Sequence, residues 1–201
     1  MEFSDVVRRR RMVRRYADRP VDRAVLDRAL DHASRAPSAG YTQAVELLVL
    51  DEPDAVARFW SATADADADS AWLTGMRTAP VVVVPLTSRE AYLERYAEPD
   101  KGWTDRDPGR WPVPYWYVDA GMAALLLLQT AVDEGLGACF FGIPVDRVEA
   151  FRQAFGVPTE RLPVGAVTLG HRLDDSGAAG SPARRRRRPT AEIVHRGRWG
   201  G

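Results

Sequence analysis

The chain has 201 residues, with 28 Lys plus Arg set against 28 Asp plus Glu, so it carries no net charge. A composition of 45% hydrophobic and 28% charged residues is that of an ordinary globular protein, long enough to bury a sizeable core. The charge balance argues against a nucleic-acid partner, whose domains are basic as a whole, and the one cysteine, Cys139, excludes an internal disulfide and fits a reducing, cytoplasmic setting.

The first fifteen residues hold no apolar leader, and apolar runs such as 123–128 are too short to span a bilayer, so neither a secretory signal nor a membrane anchor is expected. One domain over 1–201 is the reading taken. After an amphipathic start at Phe3, Val6 and Val7 comes a basic run, Arg8 to Arg11 with Arg14 and Arg15, closed by Tyr16. A second run, Arg184 to Arg188, stands near the other end. Arg pairs bidentately with phosphate and stays charged, so two such clusters suit one compact anion gripped from two sides. Solvated surface is the equal alternative, since Lys101 is the only lysine and Arg is the chain's habitual cation.

Residues 22–36 form a helix with its apolar stripe at Val25, Leu26, Ala29, Leu30 and Ala33, capped by Asp22 and stopped by Pro37. His32 lies beside the stripe as a surface residue with no partner implied. The stretch from Ala36 to Gln43 is a loop of small and turn-forming residues, which permits close approach by a ligand. Residues 45–50 follow as a largely buried strand. Residues 54–77 make two short helices broken at Asp65 to Asp69, a stretch that lacks the glycine and glutamate of a calcium loop. Val81 to Val84, bounded by Pro80 and Pro85, is the strongest strand signal in the chain.

Residues 88–97 are helical. A long irregular stretch to Pro114, with Trp103 and Trp111, is then either a lid or packing, and the span 99–114 is taken as a lid loop. Tyr115 to Gly135 makes a long helix that is apolar on nearly every side. That is more apolar surface than one small domain can cover, and it points to a dimer. Gly135 to Pro144 gives a helix stop, a buried strand holding Cys139, and a close-approach glycine at Gly142. It is no dinucleotide fingerprint, because Phe140 stands where the third glycine belongs. Residues 145–155 form an amphipathic helix, 164–170 the last core strand and 172–183 a polar linker. The tail over 190–201 alternates apolar residues and has no core of its own, so it is expected to dock on a partner subunit.

No His, Cys, Asp or Glu cluster has metal spacing and no serine sits in a nucleophile elbow. No catalytic side chain is therefore assigned. If the chain is an enzyme, a cofactor carries the chemistry.

Taken in order, Arg10-Arg11-Met12-Val13-Arg14-Arg15-Tyr16 with Pro20-Val21, Ala36 to Gln43, Asp119-Ala120-Gly121, Gly135 to Gly142, Leu169-Gly170 and Arg184–Arg188 before Pro189 resemble the nitroreductase family of flavoproteins across essentially the whole chain. The resemblance implies an α+β fold, an antiparallel-rich central sheet flanked by helices, in an intertwined homodimer with FMN at each interface. It implies that Arg10, Arg11, Met12 and Arg14 line the FMN phosphate and ribityl chain, with Arg185, Arg187 and Arg188 completing the phosphate grip. Pro37, Ser38 and Ala39 would approach the flavin from the other subunit. Phe141 and Gly142 would lie beside its ring, with the Phe141 N–H near N5. Tyr41, Trp103, Trp111, Tyr115 and Trp116 are candidates for a substrate lid.

NAD(P)H would deliver a hydride to flavin N5, and a small electron acceptor of nitroaromatic or quinone type would collect it. Two alternatives stay open. The same fold supports other flavin chemistry: dehydrogenation, dehalogenation, flavin fragmentation or reduction of a deazaflavin precursor. A non-enzymatic flavin- or nucleic-acid-binding protein is the weaker one. Met12 and Tyr41 depart from the family's usual serine and asparagine, which leaves a phosphate contact and a polar flavin contact in question.

Overall fold

The computed structural model describes residues 1–64, 70–173 and 184–200. The aspartate-rich break at 65–69 and all but the first two residues of the 172–183 linker lie outside them.

The fold is organised by the strand with the most apolar sequence. Strand β2 (Val81–Thr87) is buried along its whole length. Alternate side chains of a strand face opposite ways, so an apolar run is stable only where both sheet faces are covered. Val81 and Val83 enter one core beneath helices α2 (Arg23–Ser34) and α6 (Tyr115–Asp133). Val82, Val84 and Leu86 enter a second core on the opposite face. There they meet α3 (Pro53–Thr63), α4 (Ala71–Met76) and α7 (Val148–Phe155).

The sheet order is β1 (Glu46–Leu50), β2, β5 (Ala166–Gly170) and β3 (Gly137–Phe141), with the two-residue β4 (Leu162–Pro163) also on β2. Every pair is antiparallel. Between β2 and α6 runs α5 (Arg89–Ala97), and α1 (Phe3–Arg9) packs on α6.

Local chemistry sets the boundaries. Asp22 accepts the Ala24 N–H at 2.7 Å and starts α2; Ser70 and Ser88 cap α4 and α5 in the same way. Gly135 and Gly156, at φ 73° and 63°, end α6 and α7 in the left-handed conformation that glycine adopts without strain.

The structure corrects several expectations. Strand β1 is an edge strand, exposed at Glu46 and fully buried only at Leu50, because β2 covers just one of its sides. Pro85 does not end β2. The strand pairs with β5 through residues 81–83 and with β4 through 86–87, so Pro85 falls between two partners where no N–H is required. His32 has a partner after all, its Nδ1 lying 2.9 Å from Thr130 Oγ1. The helix expected from 145 opens as a 3-10 turn over Val145–Arg147, and the last core strand starts at Ala166. Helix α6 buries Ala120, Ala123, Ala124, Leu127, Leu128 and Ala131, yet leaves an apolar stripe of Val118, Met122 and Leu125 exposed. Among the described residues no helix is long and apolar enough to cross a membrane.

Candidate functional site

After α1 the arginine-rich segment runs extended beside β3. The Val13 N–H donates to the Ala138 carbonyl at 2.9 Å, and Met12 makes a parallel bridge to the same residue. Tyr16 then anchors the segment. Its N–H donates to Thr78 Oγ1 at 2.9 Å, and its hydroxyl lies 2.7 Å from both the Val13 carbonyl and Thr168 Oγ1. Burial pushes the Tyr16 phenol above its ordinary range, only partly offset by the Thr168 bond.

Gly75 permits the close approach on the other side, where an added Cβ would stand 2.4 Å from the Arg14 carbonyl oxygen. Met12 packs against both cores, so its thioether fills space that a serine hydroxyl would have left polar. Arg10 and Arg14 are half-buried and Arg11 is exposed. The Arg14 guanidinium reaches the Cys139 thiol and partly offsets the burial that pushes the thiol's pKa up. Cys139 is thereby a buried, neutral neighbour of the site rather than a nucleophile.

The far end of β3 carries Phe141 and Gly142 into the wall of a cavity of about 230 Å³. Trp60, Trp72, Ser70 and Pro144 line it as well, with Asp146 and Arg147 at its polar side. The Phe141 ring stacks on Trp60 at 5.5 Å with planes 9° apart, and Trp72 meets it edge-on at 5.6 Å. An added Cβ on Gly142 would meet nothing within 4 Å, so the backbone there is open to an incoming group. Behind it, Gly165 supports the Phe141 carbonyl so closely that a Cβ would come within 2.6 Å of that oxygen. Trp60, Trp72 and Ser70 were not legible as site residues. Trp60 lies on α3, Trp72 on α4 and Ser70 at the cap of α4, on either side of the 65–69 break, and only the fold turns them toward Phe141.

The Pro37–Ala39 loop is built on the other side of the molecule's scaffold, against α5 and α6. Asp119, 2% exposed on α6, accepts the Ala39 N–H at 2.8 Å and the Tyr92 hydroxyl at 2.7 Å. Arg95 donates to the Gly40 carbonyl at 2.9 Å. Burial, and then the bond to Asp119, push the Tyr92 phenol above its ordinary range. Tyr41 and Gln43 both stand at positive φ, 55° and 53°, at a cost of about 1–2 kcal/mol each for a side-chain-bearing residue. Tyr41 is 75% exposed.

The structure thus sets the arginine segment beside the start of β3 and Phe141–Gly142 at its far end, and carries Pro37, Ser38 and Ala39 elsewhere within the same chain. Arg185, Arg187 and Arg188 are exposed, and Arg188 turns back to its own tail, donating to the Glu192 carbonyl at 2.7 Å. Of the lid candidates, Trp103, Trp111, Tyr115 and Trp116 pack with Tyr92 and Tyr96 in one aromatic cluster, Trp111 touching all the others at 4.4–6.3 Å. Tyr41 stands apart from it. A larger open groove of about 770 Å³ lies between Arg19, Asp51 and Arg77; it contains none of the predicted site residues.

Comparison with known proteins bears on the family and the fold. The model of the nitroreductase family matches residues 7–171. A relative from Methanothermobacter thermautotrophicus, assigned as an NADH dehydrogenase/NAD(P)H nitroreductase, is 25% identical over 179 residues, covering 88% of this chain and 81% of its own. Two solved structures share the fold. A protein from Exiguobacterium sibiricum, assigned as a nitroreductase and solved in complex with FMN, superposes with a TM-score of 0.75 at 18% identity, covering 97% of each chain. Another from Desulfovibrio desulfuricans, likewise with FMN, gives 0.72 at 22% identity over 96% of this chain and 95% of its own.

Proposed function

Because the chain belongs to the nitroreductase family and has its α+β fold, we propose that it is an FMN-dependent oxidoreductase, drawing on NAD(P)H and reducing a small nitroaromatic- or quinone-like acceptor. The observation that carries this reading is the layout of β3. Half-buried arginines lie along one stretch of it, and an aromatic-walled cavity opens at its end beside a side-chain-free Gly142. That is the donor set of a ligand with an anionic end and a flat end. Bound FMN would supply the redox chemistry at its N5.

The chain's own residues would bind and orient. Arg10, Arg11 and Arg14 would neutralise the phosphate, with charge-assisted bonds that a Lys point charge does not match in geometry. Phe141, held by Trp60 and Gly165, would fix the backbone against the ring edge, and the Trp60–Trp72 wall would exclude water from it.

The reading includes a homodimer. The exposed Val118, Met122 and Leu125 stripe lies on the helix that α1 packs against, and α1 itself exposes Phe3 and Val7. Ile193, Val194 and Trp199 of the tail are exposed as well. A monomer keeps so much apolar surface in water only at a cost, and a second copy would cover it. The same copy would supply the Pro37–Ala39 loop to the first subunit's site, where Arg185, Arg187 and Arg188 would complete the phosphate grip.

The test is the visible spectrum of the purified protein before and after anaerobic NADH or NADPH. Two flavin bands that bleach with either nucleotide are the expected result. Retained bands that neither nucleotide bleaches would move the protein to the other flavin chemistries, and a colourless protein that refuses added FMN would overturn the reading.

A further inference from the structure

The loop over residues 38–43 is more tightly organised than its exposure requires. It holds two side-chain-bearing residues at positive φ, Tyr41 and Gln43, and strain of this kind persists only where the surroundings over-determine it. Three groups do so here. The Asp119 carboxylate accepts the Ala39 N–H, the Arg95 guanidinium donates to the Gly40 carbonyl, and the Tyr96 ring lies so close that a Cβ on Gly40 would come within 2.6 Å of it.

Of these, Asp119 is the most deeply buried. It is buried near the start of α6, beside Trp116, Ala120 and Ala123, where burying a carboxylate is costly unless its bonds repay it. Its oxygen Oδ2 accepts both the Ala39 N–H of the loop and the Tyr92 hydroxyl. Tyr92 is itself fully buried, so it sets that oxygen in place while the oxygen sets the loop.

We propose that Asp119 is the positioning residue of the Ser38–Gln43 loop, presetting its strained backbone before any ligand arrives. Resting on the FMN reading above, this makes Asp119 the residue in α6 that readies Ser38 and Ala39 for the flavin of the other subunit, although it does not touch the flavin itself. Preorganisation of this kind raises affinity because the ordering cost has already been met. The single-oxygen geometry yields a sharp expectation. An asparagine can put its one amide oxygen where Oδ2 stands and keep both bonds, whereas an alanine keeps neither.

The experiment compares Asp119→Asn, Asp119→Ala and a same-helix control, Leu127→Ala, which is fully buried and faces the sheet. One readout is limited chymotrypsin cleavage after Tyr41 in the native, flavin-free protein; the other is the dissociation constant for added FMN. Asp119→Ala is expected to raise the Tyr41 cleavage rate about tenfold or more and to weaken FMN by a similar factor, with Asp119→Asn near wild type in both. Leu127→Ala should lower the melting temperature without moving either. If Asp119→Ala does not fold, Asp119→Ser, which stops short of both donors, is read in its place.

Wild-type cleavage at Tyr41 in the alanine variant, equal damage from asparagine, or equal cleavage in the Leu127 control would overturn the assignment. Faster cleavage with unchanged FMN affinity would overturn the role toward the flavin. Cleavage is measured without flavin, so a wild type that binds no FMN tells against the function and leaves the clamp to be judged on cleavage alone.

Discussion

The ring of Phe141 lies flat on the indole of Trp60, 5.5 Å between centroids and 9° from parallel, although 80 residues separate them in the chain and they belong to different layers of the fold. That contact joins the end of β3 to helix α3 and fixes the wall of the cavity in which the proposed flavin ring would lie.

Trp72 is the part of this wall that can be removed cheaply, being 41% exposed and touching Phe141 only edge-on. Trp72→Ala should weaken FMN by about fivefold, the worth of roughly 1 kcal/mol of aromatic contact, while the melting temperature stays almost unchanged. Titrating apoprotein with FMN by fluorescence quenching gives the answer; unchanged affinity would remove Trp72 from the site.

Gly165 tests the same wall from behind. A Cβ there collides with the Phe141 carbonyl and the Phe140 ring. Gly165→Ala should cost about 1–3 kcal/mol of stability and also displace the Phe141–Gly142 backbone, so FMN affinity should fall together with the denaturation midpoint. A loss of stability with full affinity would show that this backbone is not part of the binding surface.

The two arginine clusters make one prediction jointly. Arg10→Ala with Arg187→Ala should strip the flavin, lowering affinity on the order of 100-fold for two charge-assisted phosphate bonds, and leave a folded dimer by sedimentation and circular dichroism. A double variant that keeps its full yellow colour refutes this placement of the phosphate.

The exposed stripe on α6 predicts the assembly. Leu125→Arg places a charge on the apolar face and should yield a monomer by analytical ultracentrifugation, colourless because the partner's contribution is missing. A yellow monomer would show that one chain completes the site by itself.

Tyr16, Tyr92 and Cys139 are buried acids whose pKa values burial pushes upward. Each stays protonated in the folded chain at a pH where the unfolded chain has ionised, so each contributes stability below its ordinary pKa that is lost as pH rises beyond it. The unfolding free energy should fall from about pH 8.5–9 and more steeply above about pH 10, by up to about 1.4 kcal/mol per pH unit for each group, and the melting temperature should fall with it. Tyr16→Phe should be less stable at neutral pH, having lost its bonds to Thr168 and Val13, and should show a shallower alkaline decline. An unchanged slope would show that this phenol does not titrate on unfolding.

Features written locally or in a repeating pattern were legible in the residues alone. Four consecutive valines demanded a strand covered on both faces, Asp22 and Gly135 marked the ends of helices, and the order of the arginine, Pro37–Ala39 and Phe141–Gly142 stretches was enough to indicate a family. Burial at the sheet edge was misjudged at β1, because alternation of residue type does not say whether a strand has one neighbour or two.

The tertiary structure alone decided which distant residues share a wall. Trp60 and Trp72 became cavity residues through the packing of α3 and α4 on β3, and Asp119 became the loop's anchor through the approach of α6. No local propensity encodes such meetings. They follow from burying two helical layers on one sheet, an energy summed over the whole core and invisible in any single stretch of the chain.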